Sequence, residues 1–122
     1  MWQAGLDYGH GTGHGVGVNV HESPPRVTIG SRMTLEPGHV FSIEPGVYLP
    51  DFGGIRIENL CTIVEDTEPP RDGVPRKFLR VVPLTFSPLD KRLIDRALLT
   101  AGERAFLTWF HDRKRSPLPP LV

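Results

Sequence analysis

The chain has 122 residues, enough for one domain that buries about 65% of its unfolded surface. Fourteen basic residues balance fourteen acidic ones, which excludes a general nucleic-acid binder and a polybasic membrane-surface protein. The single cysteine, Cys61, excludes an internal disulfide framework and a cysteine-based zinc site.

No apolar run approaches the roughly 18 residues of a membrane span. The start, MWQAGLDYGHG, has neither the charged nor the apolar region of a secretory signal. A cytoplasmic protein is the expectation. Eleven of the 13 glycines lie in residues 1–54, and four of the five histidines in residues 1–39. The first half therefore combines backbone that can approach closely with imidazoles that can reach a metal or a substrate.

Trp2, Leu6 and Tyr8 have no preceding element to cover them, as expected of a start inside a fold. Residues 9–17, GHGTGHGVG, alternate glycine with other residues. So many glycines would cost a helix about 4–5 kcal/mol relative to alanine, so a loop or extended segment is expected here. Ser23-Pro24-Pro25 is expected to break the chain before a short strand at residues 26–29. A turn at Glu36-Pro37-Gly38 leads into a strand over residues 39–44, stopped by Pro45-Gly46. Residues 55–64 read as one continuous strand, and residues 65–76 as an exposed hairpin loop. Residues 78–89 read as a further strand, interrupted at Pro83 and so placed at an edge or a bend. Thr100 and Glu103 have capping-box spacing and open a helix to about Lys114, with Phe106, Trp109 and Phe110 on one face. The tail SPLPPLV reads as extended or disordered.

His10 and His14 stand four apart, but the glycines exclude a helical metal motif, and neither a GK[ST] nor a GxGxxG phosphate loop is present. His14 is either a metal ligand or an incidental histidine in a glycine-rich turn. On a strand, Val40, Ser42 and Glu44 share one face, and Phe41 and Ile43 the other. Taken alone, Glu44 reads as a solvent-facing glutamate at a strand end. Alternation puts Arg56 and Glu58 on one face, either as an exposed ion pair worth about 0–1 kcal/mol or as a guanidinium that keeps the carboxylate ionised and oriented. Leu60, Thr62 and Val64 continue that face, so it is expected to be covered, and a covered glutamate needs a partner or a metal. One imidazole and two carboxylates suit manganese, zinc or cobalt. They are few for a two-metal hydrolase.

The order of motifs carries a resemblance. GHGTGHGVG at 9–17, Val20-His21-Glu22, SIEPGVY at 42–48 and GIRIEN at 54–59 together resemble the C-terminal half of aminopeptidase P. That family, also called Xaa-Pro aminopeptidase, belongs to the pita-bread metallopeptidases. PLTFSPLD at 83–90 and the stretch to Thr100 resemble the extended C-terminus of its larger cytosolic type. The resemblance implies an α+β fold, the second half of a pita-bread (creatinase/aminopeptidase) domain, with a curved, mostly antiparallel sheet and a C-terminal helix. Residues 1–90 would be the C-terminal half of the catalytic domain, and 91–122 a helical extension and tail.

By the same resemblance, His14 would ligate one metal. Glu44 would ligate it too and act as general base on a bridging water. Glu58 would bridge two metals. His10 and His21 would bind substrate and steady the tetrahedral intermediate, and Arg56 would orient the carboxylates. The implied function is metal-dependent removal, with a manganese pair, of the N-terminal residue from peptides whose second residue is proline, in an intact enzyme that is a homo-oligomer. The family's two aspartate ligands and the histidine before them precede the region this chain covers. Asp7 does not sit in the paired-aspartate pattern. A fragment is thus expected, inactive alone, whose partner is the missing N-terminal half. The alternatives are a prolidase-like or other pita-bread peptidase fragment, or a non-catalytic binding module.

Overall fold

The structure is a computed structural model that describes residues 4–68 and 73–113. Lys114, the tail and Trp2 lie outside the described residues, as do positions 69–72 of the expected hairpin loop. The chain divides into two compact units, one ending at Thr85 and one beginning at Phe86.

Among the described residues the first unit holds seven strands: β1 (Gly13–Gly15), β2 (Glu22–Val27), β3 (Val40–Ile43), β4 (Gly46–Leu49), β5 (Gly53–Arg56), β6 (Asn59–Asp66) and β7 (Phe78–Pro83). Five of them form one sheet in the order β2-β1-β3-β6-β7, while β4 and β5 form a separate two-stranded sheet. Each pairing is antiparallel. β3 and β6 lie at the centre, in register from Val40↔Thr62 to Ile43↔Asn59. Their side chains make the core: Phe41, Cys61 and Ile63 are buried, with Val27, Leu35 and Ile43 packed against them. Burial pushes the Cys61 thiol up from its ordinary value, which leaves it a packing group rather than a thiolate.

Four expectations need correction. Ser23-Pro24-Pro25 does not break the chain but runs inside β2. Proline is tolerated there because β2 is the outer strand, where a missing N–H costs no ladder bond on the open side. Residues 55–64 are two strands of two different sheets, not one. β5 ends at Arg56, opposite Gly46, and β6 begins at Asn59, opposite Ile43. That break also undoes the expected face: Cys61 and Ile63 point into the core, and Glu58 is exposed. Finally, the strand over 78–89 stops at Pro83, although Leu84 N–H still reaches Leu60 O at 2.7 Å. Beyond it the proline-containing stretch has no further ladder.

The second unit is local in construction. Asp90 and Asp95 each cap a short 3-10 turn by accepting a backbone N–H two residues on, from Arg92 and Ala97. The helix α1 (Ala101–Arg113) opens with the expected capping box. The Thr100 backbone N–H donates to Glu103 Oε2 at 2.7 Å, and the Glu103 N–H donates to Thr100 Oγ1 at 3.2 Å. Phe106, Trp109 and Phe110 do share a face, in ring contact with one another, and Trp109 and Phe110 also meet Phe86.

Candidate metal centre

His14 sits at the middle of β1, flanked by Gly13 and Gly15. The glycines have a steric cause. A Cβ at Gly13 would run into the Ser42 carbonyl, and one at Gly15 would run into the Pro24 and Glu22 carbonyls. β1 is squeezed between β2 and β3, and only glycine lets the backbones approach that closely. Within this frame His14 Nδ1 lies 2.9 Å from the Gly15 carbonyl oxygen. A carbonyl only accepts, so Nδ1 carries the hydrogen and Nε2 faces inward.

Glu44 follows the end of β3. Its backbone N–H donates to Thr12 O at 2.8 Å, which ties it to the segment before β1. Only 9% of the residue is exposed. Its Oε1 accepts from the Ser42 hydroxyl at 2.9 Å and lies 3.1 Å from His14 Nε2. With Nδ1–H committed to Gly15, the Nε2 lone pair and the carboxylate oxygen are two acceptors face to face. They need a cation between them, either a proton on Nε2 or a metal ion touching both.

Glu58 lies in the break between β5 and β6, its side chain 43% exposed. Arg56 stands between the two carboxylates, Nη1 at 3.8 Å from Glu44 Oε2 and Nε at 3.6 Å from Glu58 Oε2. One ligand atom from each of His14, Glu44 and Glu58 lies within 4.8 Å of the others. One imidazole nitrogen and two carboxylates fit a hard or borderline divalent cation. Thus ligand atoms of His14, Glu44 and Glu58 meet from three separate segments, and Arg56 lies between the two carboxylates.

The His21 ring lies 4.2 Å from the His14 ring, so the short link at 18–20 delivers it to the site. His10 is held at both nitrogens, Nδ1 at 2.7 Å from Gly11 O and Nε2 at 2.8 Å from Tyr48 Oη. All three imidazoles, with Glu44 and Arg56, line one open cavity of about 580 Å³. Two residues were not singled out from the sequence. Tyr48 was hidden because the β4–β5 hairpin was not legible as strands. Ser42 was placed on the face of Glu44 but given no role.

The metallopeptidase family M24 model matches residues 1–65, more than half of the chain. The chain belongs to metallopeptidase family M24. Among relatives, a probable Xaa-Pro aminopeptidase P of Pyricularia oryzae is 45% identical over 88% of this chain and 18% of its own length. Aminopeptidase P2 of Arabidopsis thaliana is 40% identical over 100% of this chain and 18% of its own length. The solved X-prolyl aminopeptidase of Caenorhabditis elegans, described as a cytosolic enzyme with a di-nuclear active site, superposes with a TM-score of 0.78. That match has 38% identity and covers 92% of this chain and 18% of that one. This M24 chain thus spans about a fifth of the length of the curated relatives it matches. Its fold is the α+β pita-bread type, a mostly antiparallel sheet with a C-terminal helix. Among the described residues no helix is long and apolar enough to cross a membrane.

Proposed function

We propose that this chain is the C-terminal part of a metal-dependent Xaa-Pro aminopeptidase, which releases the first residue of peptides with proline second. The observation that carries the reading is the meeting of His14, Glu44 and Glu58, from three separate segments, with ligand atoms within 4.8 Å. The names of the relatives and the dinuclear site of the nematode enzyme support it. Three groups suffice for one ion. In this reading two aspartates from an N-terminal half complete a dinuclear site, residues 1–90 being the C-terminal half of the catalytic domain and 91–122 an extension. The intact protein is a cytoplasmic homo-oligomer.

His14 would hold an ion through Nε2, Glu44 would share it, and Glu58 would reach both ions. The metals, manganese by preference and zinc or cobalt as substitutes, supply Lewis acidity to carbonyl and water. The chain's own side chains do the rest. Glu44, buried and hydrogen-bonded by Ser42, takes the proton of the attacking water as general base. Arg56, between Glu44 and Glu58, offsets part of their combined negative charge. His10, steadied by Tyr48, and His21, against His14, bind the peptide and stabilise charge growing on its carbonyl oxygen.

The test is complementation with the N-terminal half of a relative's catalytic domain. Release of the first residue from an Xaa-Pro tripeptide, with manganese added, is expected from the pair and not from this chain alone. In the pair, Glu44→Gln should abolish release, and His21→Ala should slow it with metal content unchanged. Strong turnover by the chain alone, or none by the pair, overturns the proposal.

A further inference from the structure

We propose that Ser42 is a positioning residue of this metal site, holding the Glu44 carboxylate in the orientation that faces His14. The proposal rests on the reading of His14, Glu44 and Glu58 as metal ligands. Ser42 is completely buried, 0% exposed, in the central strand β3. Its hydroxyl accepts the His14 backbone N–H at 3.0 Å. A hydroxyl has one hydrogen to give, and here it goes to Glu44 Oε1 at 2.9 Å. One oxygen atom therefore links the backbone of the first ligand to the carboxylate of the second.

The strand geometry makes this link available. Residues two apart on a strand share a face, so the short Ser42 side chain and the longer Glu44 side chain stand side by side. The backbone end of Glu44 is already fixed by its N–H bond to Thr12 O at 2.8 Å. What remains free are the side-chain torsions, the last of which turns the carboxylate. Arg56 cannot fix it, at 3.8 Å and with its side chain 49% exposed. Ser42 can, because its contact is short, buried and directed at the same oxygen that lies 3.1 Å from His14 Nε2. A buried serine that merely satisfied itself could bond any backbone carbonyl. This one spends its hydrogen on the carboxylate. Hydrogen bonds that orient a ligating carboxylate govern metal affinity without touching the metal.

The experiment is a manganese titration of the full 122-residue chain, with free ion followed by electron paramagnetic resonance, beside a thermal melt of each variant. Ser42→Ala is expected to weaken manganese binding by about 10-fold or more. Ser42→Thr, which keeps the hydroxyl, should bind within a few-fold of the parent. Should Ser42→Ala fail to fold, the pair Ser42→Thr and Ser42→Val, equal in shape and different only in the hydroxyl, gives the same comparison. A structural control removes a hydroxyl outside the unit that holds the ligands. That control is Thr100→Val, which removes the hydroxyl that accepts the Glu103 N–H at 3.2 Å at the start of α1, in the other compact unit, and is the variant expected to lower the melting temperature with manganese affinity unchanged. Parent-like affinity in Ser42→Ala, or equal affinity in the Thr and Val variants, overturns the role of Ser42 alone. A parent chain indifferent to manganese overturns the metal site itself, and Ser42's part with it.

Discussion

Glu58→Gln is expected to leave the metal-free chain as stable as the parent while removing its response to manganese. Two charge effects of opposite sign cancel. Glu58 and Glu44 repel, with ligand atoms within 4.8 Å of each other. At a water-like dielectric that repulsion is about 0.9 kcal/mol. Glu58 is also attracted to Arg56 at 3.6 Å, about 1.2 kcal/mol on the same basis. Glu58 and Arg56 are 43% and 49% exposed, so water screens each effect at the Glu58 end although Glu44 is only 12% exposed, and salt weakens the exposed pair further. Neutralising Glu58 should therefore change stability by less than about 0.5 kcal/mol. Manganese at ten times its dissociation constant should stabilise the parent by about 1.4 kcal/mol. That raises its melting temperature by about 5–10 °C. The variant lacks one of three ligands and should show a shift near zero. The assay is a thermal melt at micromolar chain, with chelator and with manganese. A variant that retains the whole manganese shift, or that melts more than about 5 °C away from the parent in chelator, refutes the reasoning.

Two further outcomes follow from particular contacts. Glu103 is held below the usual carboxylate range, first by the Thr100 backbone N–H and then by the Thr100 hydroxyl. Its contribution to α1 is complete above the ordinary glutamate value and is lost as pH falls through the lowered one. Circular dichroism at 222 nm should show helix lost over that acid range, and Glu103→Gln should lose helix at neutral pH and flatten that dependence; an unchanged acid profile in the variant contradicts the capping account. The β4–β5 hairpin presents Phe52, Ile55 and Ile57 to solvent, and an isolated two-stranded sheet is marginal on its own. Sedimentation velocity should therefore show self-association as chain concentration rises, reduced in Phe52→Ser; a monomer at all concentrations contradicts this.

The site was more legible in the sequence than the strands that build it. Alternation of glycine with histidine marked a backbone under close approach, and the structure supplies the reason in the carbonyls of Ser42, Pro24 and Glu22. Capping-box chemistry at Thr100 and Glu103 is local, so it survives folding unchanged. Periodicity failed where a strand changes partner. Nothing in Ile57-Glu58 signals that β5 and β6 pair with different strands, because both sides of the break are strand-like. The exposure of Glu58 and the place of Tyr48 were lost with it. Ser23-Pro24-Pro25 misled for a related reason: proline breaks an inner strand, and only the sheet order reveals that β2 is an outer one.

The central claim, that His14, Glu44 and Glu58 form one metal site, is tested most directly by counting manganese on the purified chain. Calorimetric titration of the 122-residue chain is expected to give at most one ion, bound weakly, with binding lost in His14→Ala and in Glu44→Ala. Two tight ions would mean that ligands beyond these three lie within the chain. No binding at millimolar manganese, or binding unchanged in both variants, would contradict the site.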